Sequence, residues 1–387
     1  MIKKSIKFGF SALLLASFTS CQSSSTKNVP SSWKGRMQVF SQLAADLYPI
    51  AMNDETFKKN QYDEEFTERL NTLGTLAADL SEAYYKGDIK GIDKDPAIGF
   101  IAKKFSNDIS LAAEALQTGK VQYAQYFIKK IPRYCIQCHS RGQYGPSFSK
   151  WPDSADFNTL NPMQKAQLYT AIRRHDLAIV QYKKVFSEAN DPDRYGDWEQ
   201  ILKQSLNFAI RQQQDLQLAE SFLTDFIQAP KSSTYLKSVA RAWKKSIQQL
   251  KSVKASQFSQ LEYAKNLLKK ANDKKSFWGD PSTFIYYLQA SAVAHNSIRS
   301  QPKTAPDAYF LLGQIYEAID LEETSGLNEY YYKLCIVEKP HSELSAKCFD
   351  RFEASVHLGF ARPYGMGSAK SNVYLLENLR NQAKPKK

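Results

Sequence analysis

Cys135-Ile136-Gln137-Cys138-His139 is the stretch of this 387-residue chain whose residue types and spacing could do chemistry. On a helix, positions i, i+3 and i+4 share one face, so the two thiols and the imidazole would point the same way. Three uses compete for such a set: a redox dithiol, half of a zinc site, or covalent attachment of a haem. A thioredoxin-like dithiol wants a βαβ setting, and no strand pattern flanks these residues. A zinc site needs more ligands, and the chain has no second CxxC and no close histidine pair. Haem attachment uses the whole set: two thiols for the two vinyl positions of one porphyrin, and a histidine reaching the iron from the same side. The spacing predicts one covalent haem c on Cys135 and Cys138, with His139 as proximal iron ligand.

The elements that would position this motif read as four helices over residues 33–145. The first, from Trp33, carries Met37, Phe40, Leu43, Leu47 and Ile50. The second carries Phe66, Leu70, Leu73, Ala77, Leu80 and Tyr84. The third opens at Asp95-Pro96, a cap followed by a first-turn proline, carries Ile101, Phe105, Ile109, Ala112 and Leu116, and stops at Gly119. The fourth carries Val121, Ala124, Ile128, Ile131, Cys135 and Cys138, with a kink expected at Pro132. Steps of three and four mark one-sided buried helices. The two cysteines continue the apolar stripe of the fourth helix, which predicts a haem lying in the bundle core.

Four amphipathic helices with CxxCH near the end of the last resemble the cytochrome c-prime group, over residues 33–145. In that group an arginine of the first helix precedes by four positions the residue on the distal side of the iron. Arg36 matches that arginine and puts Phe40 at the distal position. Phenylalanine cannot ligate iron, so the resemblance implies a five-coordinate haem open to gases. Met37, one turn away on the same stripe, is the alternative sixth ligand after a shift in register; a methionine there also suits core packing.

Residues 1–20 read as an export signal. Lys3, Lys4 and Lys7 precede a short apolar run, Phe8 to Phe18, too short to span a membrane comfortably. Phe18-Thr19-Ser20-Cys21 resembles a bacterial lipobox, with Cys21 lipidated, although Phe18 departs from the usual aliphatic residue; signal cleavage without lipid is the alternative. Residues 21–32 are a polar, serine-rich tether. Gln22 in place of an acidic residue favours the outer membrane, facing the periplasm. Of the five cysteines, Cys335 and Cys348 remain, either bonded across a helical hairpin at Pro340 or free and buried.

Ser140 to Asn158 holds Gly142, Gly145, Pro146 and Pro152, and residues 146–160 read as a linker. Residues 161–362 read as helices with a tetratricopeptide-like look. One unit starts at Asn161 with Ala166, Tyr169, Ala178, Tyr182 and Pro192; another has Tyr309, Leu312, Gly313, Tyr316, Tyr332 and Pro340. Such arrays bind proteins on a concave face, and a non-repeat helical domain is the alternative. Residues 363–387 are left as a C-terminal tail. His175, His295, His341 and His357 are scattered, without acidic or thiol neighbours at ligand spacing, though one could shield or ligate a haem from the other domain. The formal net charge of +13 is dispersed, and no block of like charge or nucleic-acid motif points to nucleic acid as a partner.

The expected protein is all-α: a four-helix haem bundle followed by helical repeats. Its expected role is that of a periplasm-facing monohaem lipoprotein that carries electrons or binds NO or CO, and docks a redox partner or another periplasmic protein. The alternative is an assembly or scaffold lipoprotein with a structural haem. A peroxidase would need a distal acid–base group, and the first helix offers none.

Overall fold

The structure is a computed structural model and describes residues 32–87, 95–140, 155–188, 198–230, 232–253, 257–274, 280–319, 326–360 and 370–385. Every assigned element among them is helical, with no strand. The expected export signal, and Cys21 with the expected tether up to residue 31, lie outside the described residues.

The first half comprises α1 (Trp33–Met52), α2 (Asp54–Asn60), α3 (Glu64–Lys86), α4 (Ala97–Gln117), α5 (Val121–Lys129) and α6 (Ile131–His139). Side-chain caps start the first four of these helices. Ser32 accepts from the Gly35 amide, Asn53 from Glu55 and Thr56, and Asp63 from Glu65. Asp95 accepts from the Ala97 amide at 3.0 Å and starts α4. Left-handed Gly87 and Gly119 follow the ends of α3 and α4, with φ of 74° at each. The stripes expected from sequence form the contacts: Phe66, Leu70, Leu73 and Ala77 of α3 and Ile101, Phe105, Ile109 and Ala112 of α4 are all buried. Each large side chain among them contributes roughly 1.5–3 kcal/mol of transfer free energy. Ser81 and Ser106 tie the same two helices by donating to the carbonyls of Gly99 and Gly74.

The expected fourth helix is two helices. The chain breaks at Lys130, and α6 restarts with Pro132 in its first turn. Proline lacks the amide hydrogen that would bond back one turn, and its ring clashes with that turn's carbonyl. The cysteine motif therefore sits on its own short helix, which packs on α4, α5 and α1.

The second half comprises α7 (Ala155–Asn158), α8 (Pro162–Ala171), α9 (His175–Ser187) and α10 (Trp198–Asn207), the last running on into a π-helical turn at Phe208–Gln212. It continues with α11 (Leu216–Gln228), α12 (Thr234–Lys251), α13 (Gln260–Lys274), α14 (Thr283–Ser300), α15 (Ala305–Ala318), α16 (Leu327–Glu338), α17 (Glu343–Phe360) and α18 (Lys370–Ala383). Successive helices pair: α8 with α9, α11 with α12, α13 with α14, α15 with α16 and α17 with α18. Asn161 and Gln164 form a reciprocal capping box at the start of α8.

Two stretches expected to be loose are packed. The end of the expected linker forms α7, and Phe157 and Leu160 are buried with Tyr48 of α1 and Leu168 of α8. The expected tail contains α18, whose Leu379 and Ala383 are buried. The carbonyls of Gln382 and Ala383 accept from the His341 amide and the Ser345 hydroxyl. Apolar residues at Leu375, Leu376, Leu379 and Ala383 give α18 a side that must be covered.

The hydrophobic core does not stop between the halves; one cluster of buried side chains runs from Phe40 to Ala383. The halves meet at two seams, one where α6 packs on α8 and the other where α4 packs on α16. No helix among the described residues is long and apolar enough to cross a membrane.

Candidate functional site

Cys135, Cys138 and His139 fall on one face of α6, because the helix runs unbroken from Ile131 to His139. Ile131, Tyr134, Ile136 and Gln137 are buried, whereas the two cysteines and the histidine are half-buried. Both thiols pack against the buried core. α6 also packs on α8, and its last residue, His139, reaches Ala171 at the end of that helix.

Neither Cys135 nor Cys138 is in a disulfide. Burial pushes the Cys135 thiol up to about 12, and the neighbouring Cys138 adds to the effect. Burial lowers His139 to about 4, the positive charges of Arg173 and His175 push the same way, and a bond to Ala171 opposes them. The imidazole is therefore neutral at physiological pH, as a metal ligand must be. Its Nδ1 donates to the Ala171 carbonyl at 2.6 Å. That bond puts the ring proton on Nδ1 and leaves the lone pair on Nε2, the arrangement that orients histidines toward metals. The donor set thus fits a c-type haem: two thiols in phase on one helix face, and a neutral imidazole with its outer nitrogen already engaged.

The residues expected opposite the iron are placed as follows. Phe40 is buried on α1, its ring centroid 5.2 Å from that of Phe105. Phe105 stacks on Tyr134 at 4.9 Å, and Tyr134 directly precedes Cys135. The Tyr134 hydroxyl donates to Asp108 and is held there. Met37 is half-buried against the same core, one turn before Phe40. Arg36 is 3.6 Å from Asp79 in a solvent-facing ion pair between α1 and α3.

The chain matches no protein-family model, no curated protein and no solved structure.

The sequence pointed to the second half only through the scattered histidines, one of which could shield or ligate a haem from the other domain. Ala171, Arg173 and His175 lie in the turn between α8 and α9, and no motif connects them to CxxCH. The type of His175 was the one available signal.

A second cluster of polar side chains closes the other seam. Arg211 in the π turn donates to the Tyr316 hydroxyl at 2.6 Å and to Asn207 at 3.1 Å. Tyr316 is 2.7 Å from His295 Nε2, and His295 Nδ1 is 2.7 Å from Asp95. Tyr331 donates to both carboxylate oxygens of Asp95, at 2.9 and 3.1 Å. Each of these side chains is buried. His295 therefore has an acidic neighbour after all, reached through the fold and not through local spacing. These buried hydrogen bonds link residues of α14, α15 and α16 to the start of α4, which suits a joint between those helices, although Arg211 Nε is left without a partner.

Cys335 of α16 and Cys348 of α17 are joined in a disulfide, with Cα atoms 6.3 Å apart.

Proposed function

We propose that the chain is an exported, lipid-tethered c-type haem protein facing the periplasm. Its first half would be a cytochrome c-prime-like four-helix bundle and its second a tetratricopeptide-like array that docks a redox partner or another periplasmic protein. The carrying observation is His139, neutral and bonded through Nδ1 to the Ala171 carbonyl, on the same helix face as Cys135 and Cys138. Cys135 and Cys138 would hold the porphyrin by thioethers, and His139 Nε2 would face the iron. A bound haem supplies an iron that passes single electrons or binds a small gas such as NO or CO. Phe40 offers no ligand and Met37 offers a thioether, so the two uses divide on Met37. The test is an optical and EPR spectrum of the full-length holoprotein. A c-type pyridine haemochrome is expected; its absence sinks the reading. A high-spin spectrum that shifts with CO favours gas binding, and a low-spin spectrum abolished by Met37→Ala favours an electron carrier.

A second reading has one observation in its favour. The motif lies where α6 meets α8, so a haem there would staple the two halves of an assembly or scaffold lipoprotein. Replacing Cys135 and Cys138 together by alanine then leaves partner capture intact and lowers thermal stability. Loss of capture with stability unchanged would count against it.

A further inference from the structure

The turn after α8 carries three features that helix termination does not require. Arg173 adopts a left-handed backbone, φ 64°, a conformation that favours glycine. It occupies the position that Gly87 and Gly119 fill after α3 and α4. Its amide bonds to Thr170 and that of Arg174 to Tyr169, closing the helix in the usual way. Yet the side chain here is a long cation, and its Nη1 is buried with no hydrogen-bond partner.

His175 repeats the pattern two residues on. Its Nδ1 accepts from Gln213 Nε2 at 2.7 Å, which places the ring proton on Nε2. That Nε2 is also buried and without a partner. Arg173 is near enough to push His175 toward its neutral form, and both push His139 the same way. Two buried N–H donors without partners thus lie in the same short turn whose Ala171 carbonyl holds His139. Buried donors are nearly always paired, and a guanidinium is the costliest to leave unpaired. The acceptor that answers both is an anion with two oxygens, a carboxylate.

We propose that Arg173 and His175 bind a propionate carboxylate of the haem, Nη1 and Nε2 each donating to it. The inference rests on the haem reading above and extends it. The second half of the chain becomes part of the haem site, holding the proximal histidine through Ala171 and the porphyrin edge through Arg173 and His175. A guanidinium at that edge favours the reduced iron, which carries one less positive charge.

The experiment uses full-length holoprotein matured in the periplasm: wild type, Arg173→Gln, Arg173→Gly, His175→Gln, and Arg174→Gln as control. Arg173→Gly is included because glycine suits the left-handed backbone and keeps the turn folded. Covalent haem is measured as the pyridine haemochrome, the midpoint potential by spectroelectrochemistry, and the propionate bending band by resonance Raman. All variants are expected to keep covalent haem and the wild-type spin state. Both Arg173 variants shift the midpoint potential downward, and they and His175→Gln move the propionate band, while Arg174→Gln moves neither. Unchanged potential and band in the Arg173 and His175 variants overturn the inference and leave the haem reading standing. A spin-state change confined to His175→Gln also overturns it, because His175 would then be an iron ligand. Wild type without a c-type haemochrome removes both readings.

Discussion

Asp95 shows how much one carboxylate can hold when burial removes water as a competitor. It caps α4 through the Ala97 amide, pairs with His295 and accepts from Tyr331. Only the cap was legible in the sequence, since Asp-Pro before an apolar stripe is a local signal. The contact with His295 joins residues far apart in the chain and leaves no trace in spacing. Asp95→Ala should cost about 3–5 kcal/mol, because it leaves a buried imidazole and a buried tyrosine hydroxyl without their acceptor. Urea denaturation of Asp95→Ala, His295→Ala and the double variant checks it. The double variant should lose less than the sum of the singles; strict additivity would mean the pair contributes nothing as a pair. The same limit applied at His139: its type and spacing could be read from sequence, but its acceptor is a backbone carbonyl, which no residue type announces.

Helices were the most legible part, because a 3.6-residue period leaves a stripe wherever one side is buried. α1, α3 and α4 follow their stripes closely. Where the reading failed, a local rule outweighed the stripe or a short stripe was overlooked. Pro132 split the fourth helix although the stripe ran through it, and α18 was passed over because it follows the glycine-containing stretch 361–369. Gly313 of α15 stands out as a small residue, and its packing explains why: a Cβ there would run into the Tyr332 ring. Tyr332 is buried and its hydroxyl donates to Glu317 at 2.6 Å, so the ring has little freedom to yield. Gly313→Ala should therefore destabilise by about 1–3 kcal/mol through overpacking, despite alanine's better helix propensity. A stabilised variant in thermal melts would show that the ring moves aside. The disulfide acts on the next pair, α16 and α17. Cys335 and Cys348 are separated by 13 residues. Closing a loop of that size removes unfolded-state entropy worth about 3 kcal/mol in the chain-entropy model. Replacing both cysteines by alanine should lower the urea midpoint accordingly, and an unchanged midpoint would refute it.

At the scale of the molecule, the two halves are joined by chemistry at both seams. At one, α6 meets α8 and the Ala171 carbonyl holds His139; at the other, α4 meets α16 around Asp95. The sequence suggested a linker and a tail, and the fold packs the described end of each, residues 155–160 and 370–385. A short α7 bridges α1 to α8 through Phe157 and Leu160, and α18 closes the far end against α17. If the chain is exported as proposed, the seam at His139 would also set an order of events during biogenesis. Such a chain would present Cys135, Cys138 and His139 before Ala171. On the proposed reading, the thioether bonds are made in the interval before α8 docks, and the folding of the second half then shuts the attachment enzyme out.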